Sequence, residues 1–403
     1  MFENGFKKWF KNWKNNLELR IENALDQTDR PSWFSFEGFL FLVSIIYIQV
    51  IRLHLWMFEK KILTQKALPC FVISIGNITV GGTGKTPMTL YIAQTLVRMG
   101  KKPVVVSRGY KGQYQGQTLV VSDGNHVFAD SKTAGDEPYM LAQKKICPVV
   151  VGKSRFKAGQ IAIENFNPDV IILDDGFQHL GLKRDLDFVL FDDSNPLGNT
   201  RYLPSGRLRE PVQTAAKRAH ALVFTRCPLE ILSLASSAED AMPTPFAKNR
   251  LQSLMAHFNA LPEFKTCHVP FVCEQILPDK PLPNPGIDME YLKGKKALLF
   301  SGLAGNASFY ETLDRYGAII VDHLEFKDHY RYKRADFKKI NTLARQKEAD
   351  IILTTQKDRV KIPEDIKWET QLAVIGIQIQ FQTPERFLSF LNQKINFNQK
   401  TGF

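Results

Sequence analysis

From Cys70 onward the chain alternates short, nearly continuous apolar runs with stretches whose apolar residues recur every three or four positions. Phe71-Val72-Ile73-Ser74-Ile75 is the first such run, and 103–107, 149–152, 170–173, 188–191 and 221–224 repeat it. Runs of this kind read as strands buried on both faces, and their alternation with helical spacing predicts a parallel sheet covered on both sides. A passage with Pro270, Pro278, Pro281, Pro283 and Pro285 interrupts the alternation and reads as a boundary or linker. Beyond it 296–301, 319–321 and 351–354 are again strands between helical segments, and 372–380 is a last strand able to return to the linker region. The polar tail from Asn392 is expected to fray.

The first sixty residues follow a different pattern. On a helix, Phe6, Trp9, Phe10, Trp13 and Leu17 share one face and Lys7, Lys8, Lys11 and Lys14 the other, the arrangement of a helix lying in a membrane interface. Gly38 to Ile51 carries no charge, and Leu53, Leu55, Trp56, Met57 and Phe58 continue the run past Arg52. A spanning helix needs about 20 apolar residues, so a monotopic attachment is the expectation, with a long core helix as the alternative. The run starts late and no small-residue cleavage site follows it, so a signal peptide is not expected.

With 403 residues, 44% of them hydrophobic, the chain can bury two cores. The division expected is 1–60 as the membrane-associating segment, 61–265 as the main core and 266–403 as a smaller α/β unit. Lys and Arg number 53 against 41 Asp and Glu, and the net charge of +12 favours an anionic partner without choosing among nucleic acid, lipid surface and phosphorylated substrate. Any base-stacking or zinc motif is missing, which disfavours nucleic acid. The five scattered cysteines fit a reducing cytoplasm.

Between the first strand and the helix after it stands Gly81-Gly82-Thr83-Gly84-Lys85-Thr86. Glycines let backbone N–H groups turn inward on phosphates, a lysine neutralises them, and a hydroxyl holds magnesium. The usual phosphate loop has glycine where this chain has Thr79. Val170 to Asp175 is a buried strand ending in paired acids, suited to a metal near transferred phosphate, although Asp174 could also cap the following turn. Gly176-Phe177-Gln178-His179 puts an amide and an imidazole at that same edge. Asp136 and Glu137 are candidate bases for an alcohol proton, and Asp136 is equally placed to cap a helix. Asp328-His329-Tyr330 reads either as a surface turn or as a partner in the site. The arginines of Pro204-Ser205-Gly206-Arg207-Leu208-Arg209-Glu210-Pro211 suit phosphate recognition or exposed ion pairs.

Seven segments in this order resemble the tetraacyldisaccharide 4′-kinase family of lipid A synthesis, over about 35 to 390. They are 76–87 around the glycine loop, Ser107-Arg108-Gly109-Tyr110, Gly135-Asp136-Glu137-Pro138, Asp174 to His179, Leu208 to Pro211, Phe326 with Asp328-His329, and Thr354 to Asp358. The resemblance implies a P-loop NTPase-like α/β fold and transfer of the ATP γ-phosphate to the 4′-hydroxyl of a tetraacyldisaccharide 1-phosphate. It implies Asp136 as the base, paired with His329, with Lys85 and Asp175 also at the chemistry. Thr79, Val80, Gly81, Gly82, Thr83, Gly84, Lys85 and Thr86, with Arg108 and Arg209, would hold ATP. Thr86, Asp174, Asp175, Gln178 and Glu210 would surround Mg2+. Thr79 is itself a feature of the family. Two departures, Tyr330 for a second histidine and no proline around Ala304-Gly305-Asn306, bear on substrate contacts. A four-chain lipid stays in the bilayer, so the apolar N-terminus is expected to bring the cleft to the cytoplasmic face of the bacterial inner membrane. The rival is a membrane-associated P-loop ATPase switch of the partition type. Such switches often carry a second lysine where this chain has Val80, and Thr355-Gln356-Lys357-Asp358 lacks the spacing that reads guanine.

Overall fold

The computed structural model describes residues 20–27, 32–232, 248–277, 281–282, 287–303 and 305–400. The expected interfacial helix through Phe6, Trp9, Phe10, Trp13 and Leu17 lies outside them, as does Ala304.

Six of the expected strands form a mainly parallel sheet: β1 (Phe71–Gly76), β2 (Pro103–Ser107), β4 (Val149–Gly152), β5 (Val170–Asp174), β6 (Leu186–Asp192) and β7 (Ala221–Thr225). Their order is β7-β6-β1-β5-β2-β4, with β3 (Thr118–Ser122) added antiparallel to β4 at the edge. Alternate residues of each strand feed two cores. Ile73, Ile75, Val105 and Ile172 face Met88, Ile92 and Leu96 of α2 (Lys85–Arg98) and Leu141 and Ala142 of α3 (Asp136–Gln143). Val72, Val104, Ile171 and Leu173 face Ala158 and Ala162 of α4 (Arg155–Phe166). Burial on both sides explains why these strands read as apolar throughout.

The proline passage is not a plain linker. Much of it belongs to β8 (Glu263–Ile276), a 14-residue strand whose start pairs parallel with β7 and whose remainder pairs antiparallel with β13 (Leu372–Phe381). The change of partner falls between Lys265 and Thr266. Two residues, Pro281–Leu282 (β9), pair back on β8. β13 continues through β12 (Ile351–Thr355), β10 (Lys296–Ser301) and β11 (Ile319–Glu325), all parallel to their neighbours. Phe309 and Leu313 of α5 (Asn306–Arg315) cover one face of this part, and Phe337, Ile340 and Ala344 of α6 (Arg334–Gln346) the other.

The expected frayed tail is a helix, α7 (Pro384–Lys400). Phe387, Leu391 and Ile395 recur at helical spacing and are buried against Phe188 and Phe264 in the first core, which orders the polar residues between them.

The apolar N-terminal run forms one continuous helix, α1 (Phe36–Glu59), of 24 residues. Ser35 caps it by accepting from the Gly38 N–H at 3.0 Å. Only Gly38, Leu40, Ser44 and Ile48 are buried, whereas Phe39, Leu42, Ile45, Ile46, Val50, Leu53 and Trp56 are exposed along one side. At about 1.5 Å per residue the helix is roughly 36 Å long, so its length exceeds what the uncharged run alone suggests. Its exposed apolar face sets it apart from a core helix.

Candidate active site

The carboxyl ends of β1 and β5 open on a cleft of about 1750 Å³ that runs to the part of the sheet beyond β8. The glycine loop rims it. Gly81 and Gly84 have φ of 133° and 76°, conformations that L side chains rarely adopt, and Gly84 leads directly into α2. A Cβ on Gly84 would lie 2.6 Å from His268 Nε2, so the backbone turn passes close under that ring. Thr79 needs no glycine because it is extended there. It bridges to Leu208, while Val80 N–H donates to the Arg207 carbonyl and Arg209 N–H to the Ile78 carbonyl, each at 2.8 Å. The 207–209 stretch therefore backs the loop like a short strand.

Behind the loop, the Asn77 amide holds the Thr83 hydroxyl at 2.9 Å and accepts from Lys85 Nζ at 3.3 Å. Lys85 Nζ also stands 3.7 Å from Asp175. Arg209 Nη1 donates to Asp175 Oδ1 at 3.3 Å and to Gln178 Oε1 at 3.2 Å. Burial opposes ionisation of Asp175, but Lys85, Arg209 and Arg155 outweigh it and hold the carboxyl below its usual range. Asp174 is buried and behaves in the opposite sense. Burial first, then the charges of Glu137 and Asp175, push it up to about 7, although the Thr89 hydroxyl donates to it at 2.9 Å. Buried Asp174, raised as it is, next to half-exposed Asp175 and with the loop hydroxyl of Thr86 lining the same cleft, suits a hard divalent cation that takes few protein oxygens and completes its shell with water and phosphate. Gln178 and Glu210 are already engaged. Gln178 Nε2 donates to the Asn77 carbonyl at 2.7 Å and to Glu210 Oε1 at 3.0 Å, and Glu210 is paired with Arg218. Among the described residues no cluster of three or more His, Cys, Asp or Glu stands ready as a complete cage.

Across the cleft, His329 Nδ1 lies 2.9 Å from Asp136 Oδ2. Asp136 is the first residue of α3, and Gly135, with φ of 96°, occupies the cap position without a side-chain bond, so the Asp136 carboxylate is left for His329. His329 has φ of 59° and its ring meets the edge of Tyr110 at 5.8 Å. The preceding Asp328 accepts from Lys357 Nζ at 2.7 Å, which fixes the turn that carries the imidazole. Arg108 lines the same cleft, whereas His179 does not.

Three residues with direct bearing on the site are not singled out by sequence patterning. Arg155 is buried, donates to the Gly152 carbonyl at 3.0 Å, and is pushed down to about 10 by burial despite Asp174 and Asp175. Its position just past the end of β4, at the same sheet edge as the acids, is the available signal. His268 and Arg226 stand over the glycine turn, where no local motif marks them.

Residues 36–396 match the sequence profile of the family described as LpxK, tetraacyldisaccharide-1-P 4′-kinase. The chain is 33% identical over 388 residues to the tetraacyldisaccharide 4′-kinase of Desulfatibacillum aliphaticivorans, covering 95% of this chain and 100% of that one. It is 37% identical over 361 residues to that of Halothermothrix orenii, covering 85% and 89%. Among solved structures, an "apo" form of LpxK from Aquifex aeolicus in complex with ATP is similar with a TM-score of 0.67 and 29% identity, over 90% of this chain and 100% of that one.

Proposed function

The chain belongs to the tetraacyldisaccharide-1-P 4′-kinase family, and from that premise we propose that it transfers the γ-phosphate of ATP to the 4′-hydroxyl of a tetraacyldisaccharide 1-phosphate, with Asp136 as the base. The observation that carries the residue assignment is the 2.9 Å contact between Asp136 and His329, on the side of the cleft facing the glycine loop. Asp136 takes the hydroxyl proton as the alcohol oxygen bonds to the γ-phosphorus and the bond to the β-phosphate oxygen breaks. His329 donates to the carboxylate and keeps its other oxygen turned toward the acceptor. Lys85, with backbone N–H groups of 81–86, neutralises the phosphates, and Arg209 and Arg108 add positive charge around the transferred group. Thr86, Asp174 and Asp175 would hold Mg2+, which would neutralise part of the phosphate charge during transfer. Gln178 and Glu210 stand behind these residues, Gln178 accepting from Arg209 and Glu210 paired with Arg218.

The exposed apolar side of α1 supports attachment to a bilayer, at the cytoplasmic face where ATP is supplied. The change of partner within β8 supports a division of the chain near residue 265, with α7 returning to the first core. A partition-type switch has no use for a carboxylate–imidazole pair opposite the phosphates. Transfer of label from ATP to the disaccharide lipid in detergent micelles tests the reading, and brisk ATP hydrolysis with no labelled lipid refutes it.

A further inference from the structure

Two polar contacts tie the N-terminal helices to the stretch that backs the glycine loop. Tyr47, beside buried Ile48 on the protein-facing side of α1, donates its hydroxyl to the Arg209 carbonyl at 2.8 Å. Asp26, at the end of the helical residues 20–26, accepts from Arg207 Nε and Nη2, both at 2.6 Å. Arg207 also donates through Nη1 to the Val80 carbonyl at 3.2 Å, and that nitrogen lies 3.3 Å from where a Cβ on Gly81 would stand. Arg209, held from behind by Tyr47, points its guanidinium at Asp175 and Gln178. The two pins thus grip Arg207 and Arg209, the outer residues of the stretch that is zipped along Ile78 to Val80. An anchor alone would have no need of a hydroxyl and a carboxylate aimed at that stretch.

We infer that α1 and helix 20–26 form a positioning element of the nucleotide site: Tyr47 sets Arg209 and Asp26 sets Arg207, so a bilayer that holds α1 also holds the 207–209 stretch against the glycine turn. Tyr47 and Asp26 are positioning residues that act through those arginines. The inference rests on the kinase reading above, and its second test is independent of lipid product.

In the full-length protein, Tyr47→Phe removes one hydroxyl and leaves the ring. The expected result is a fall in kcat of about fivefold, the effect of one neutral hydrogen bond, with KM for ATP within about twofold of wild type. The thermal midpoint falls by no more than about 2 °C, the effect of one hydrogen bond in a chain of this size, and partition to phosphatidylglycerol vesicles stays at the wild-type value. Asp26→Ala, at an exposed position, is expected to weaken binding of a fluorescent ATP analogue by about two- to fivefold, the range of a partly exposed ion pair. Wild-type kcat in Tyr47→Phe overturns the inference, as does a kcat loss matched by an equal loss of vesicle partition, which is the result for a mere anchor. Unchanged or tighter analogue binding in Asp26→Ala overturns it for Arg207. A wild-type protein that makes no phosphorylated lipid defeats the kinase reading instead and leaves the analogue measurement to decide this one.

Discussion

Replacing Asp136 by Asn is expected to slow phosphate transfer by about 10²- to 10⁴-fold, the range supplied by a positioned general base. The informative experiment adds His329. Its imidazole lies 2.9 Å from the carboxylate, and the two side chains are only 12% and 16% exposed, so solvent screens the contact weakly. A hydrogen bond to a charged group under such conditions contributes about 1.5–3 kcal/mol, or roughly 10- to 150-fold in rate. His329→Ala alone should therefore lower kcat by that factor. If His329 acts only through Asp136, the double variant is no slower than Asp136→Asn, and the coupling energy in the double-mutant cycle equals the whole effect of His329. Initial rates at saturating lipid acceptor measure all four proteins. KM for ATP should move by less than about twofold, because neither residue bonds to the glycine loop in the contacts described. Additive losses, with the double variant slower by the product of the two single factors, would refute a shared role and make His329 an independent contact.

Two further outcomes follow from burial and exposure. His179 and His268 are each pushed down to about 4, chiefly by burial and then by neighbouring arginines, so they are neutral in the fold and take up a proton on unfolding below about 6.5. Each contributes stability that is fully present above pH 6.5 and lost as the pH falls toward 4. Asp174, raised to about 7, works in the opposite sense over the same window, so Asp174→Asn should make the acid loss of thermal midpoint in EDTA steeper; an unchanged or shallower loss contradicts the assignment. On α1, the paired change Ile46→Asp and Leu53→Asp puts two charges on the exposed apolar side and should reduce vesicle partition on the order of tenfold or more. Wild-type co-sedimentation of that variant would show that another surface binds the bilayer.

The heart of the sheet is legible in the sequence because β1, β5 and α2 are locally self-consistent: apolar runs end in a glycine loop or paired acids, and a lysine opens a helix. What escapes is set by long-range pairing. Thr118 to Ser122 is too short and mixed to stand out, and becomes strand β3 through its pairing with β4. Pro270 marks a break by local rules, yet it sits within β8 opposite Ile377 of β13 in an antiparallel ladder. In the site, Asp136 and His329 are 193 residues apart, and only the motif order suggests their meeting. Tyr47 and Asp26 carry no motif, so their grip on the 207–209 stretch is visible only in three dimensions.

The last helix bears on how the chain is made. Phe381, Phe387, Leu391 and Ile395 complete the same core as Ile73 and Ile75 of the strand that precedes the glycine loop. During synthesis that strand emerges hundreds of residues before its final neighbours, and the nascent N-terminal half must wait with an open apolar flank. Meanwhile the exposed side of α1 is already free to meet a membrane. The core under the strand that leads into the glycine loop is thus closed only once the residues of α7 have joined it.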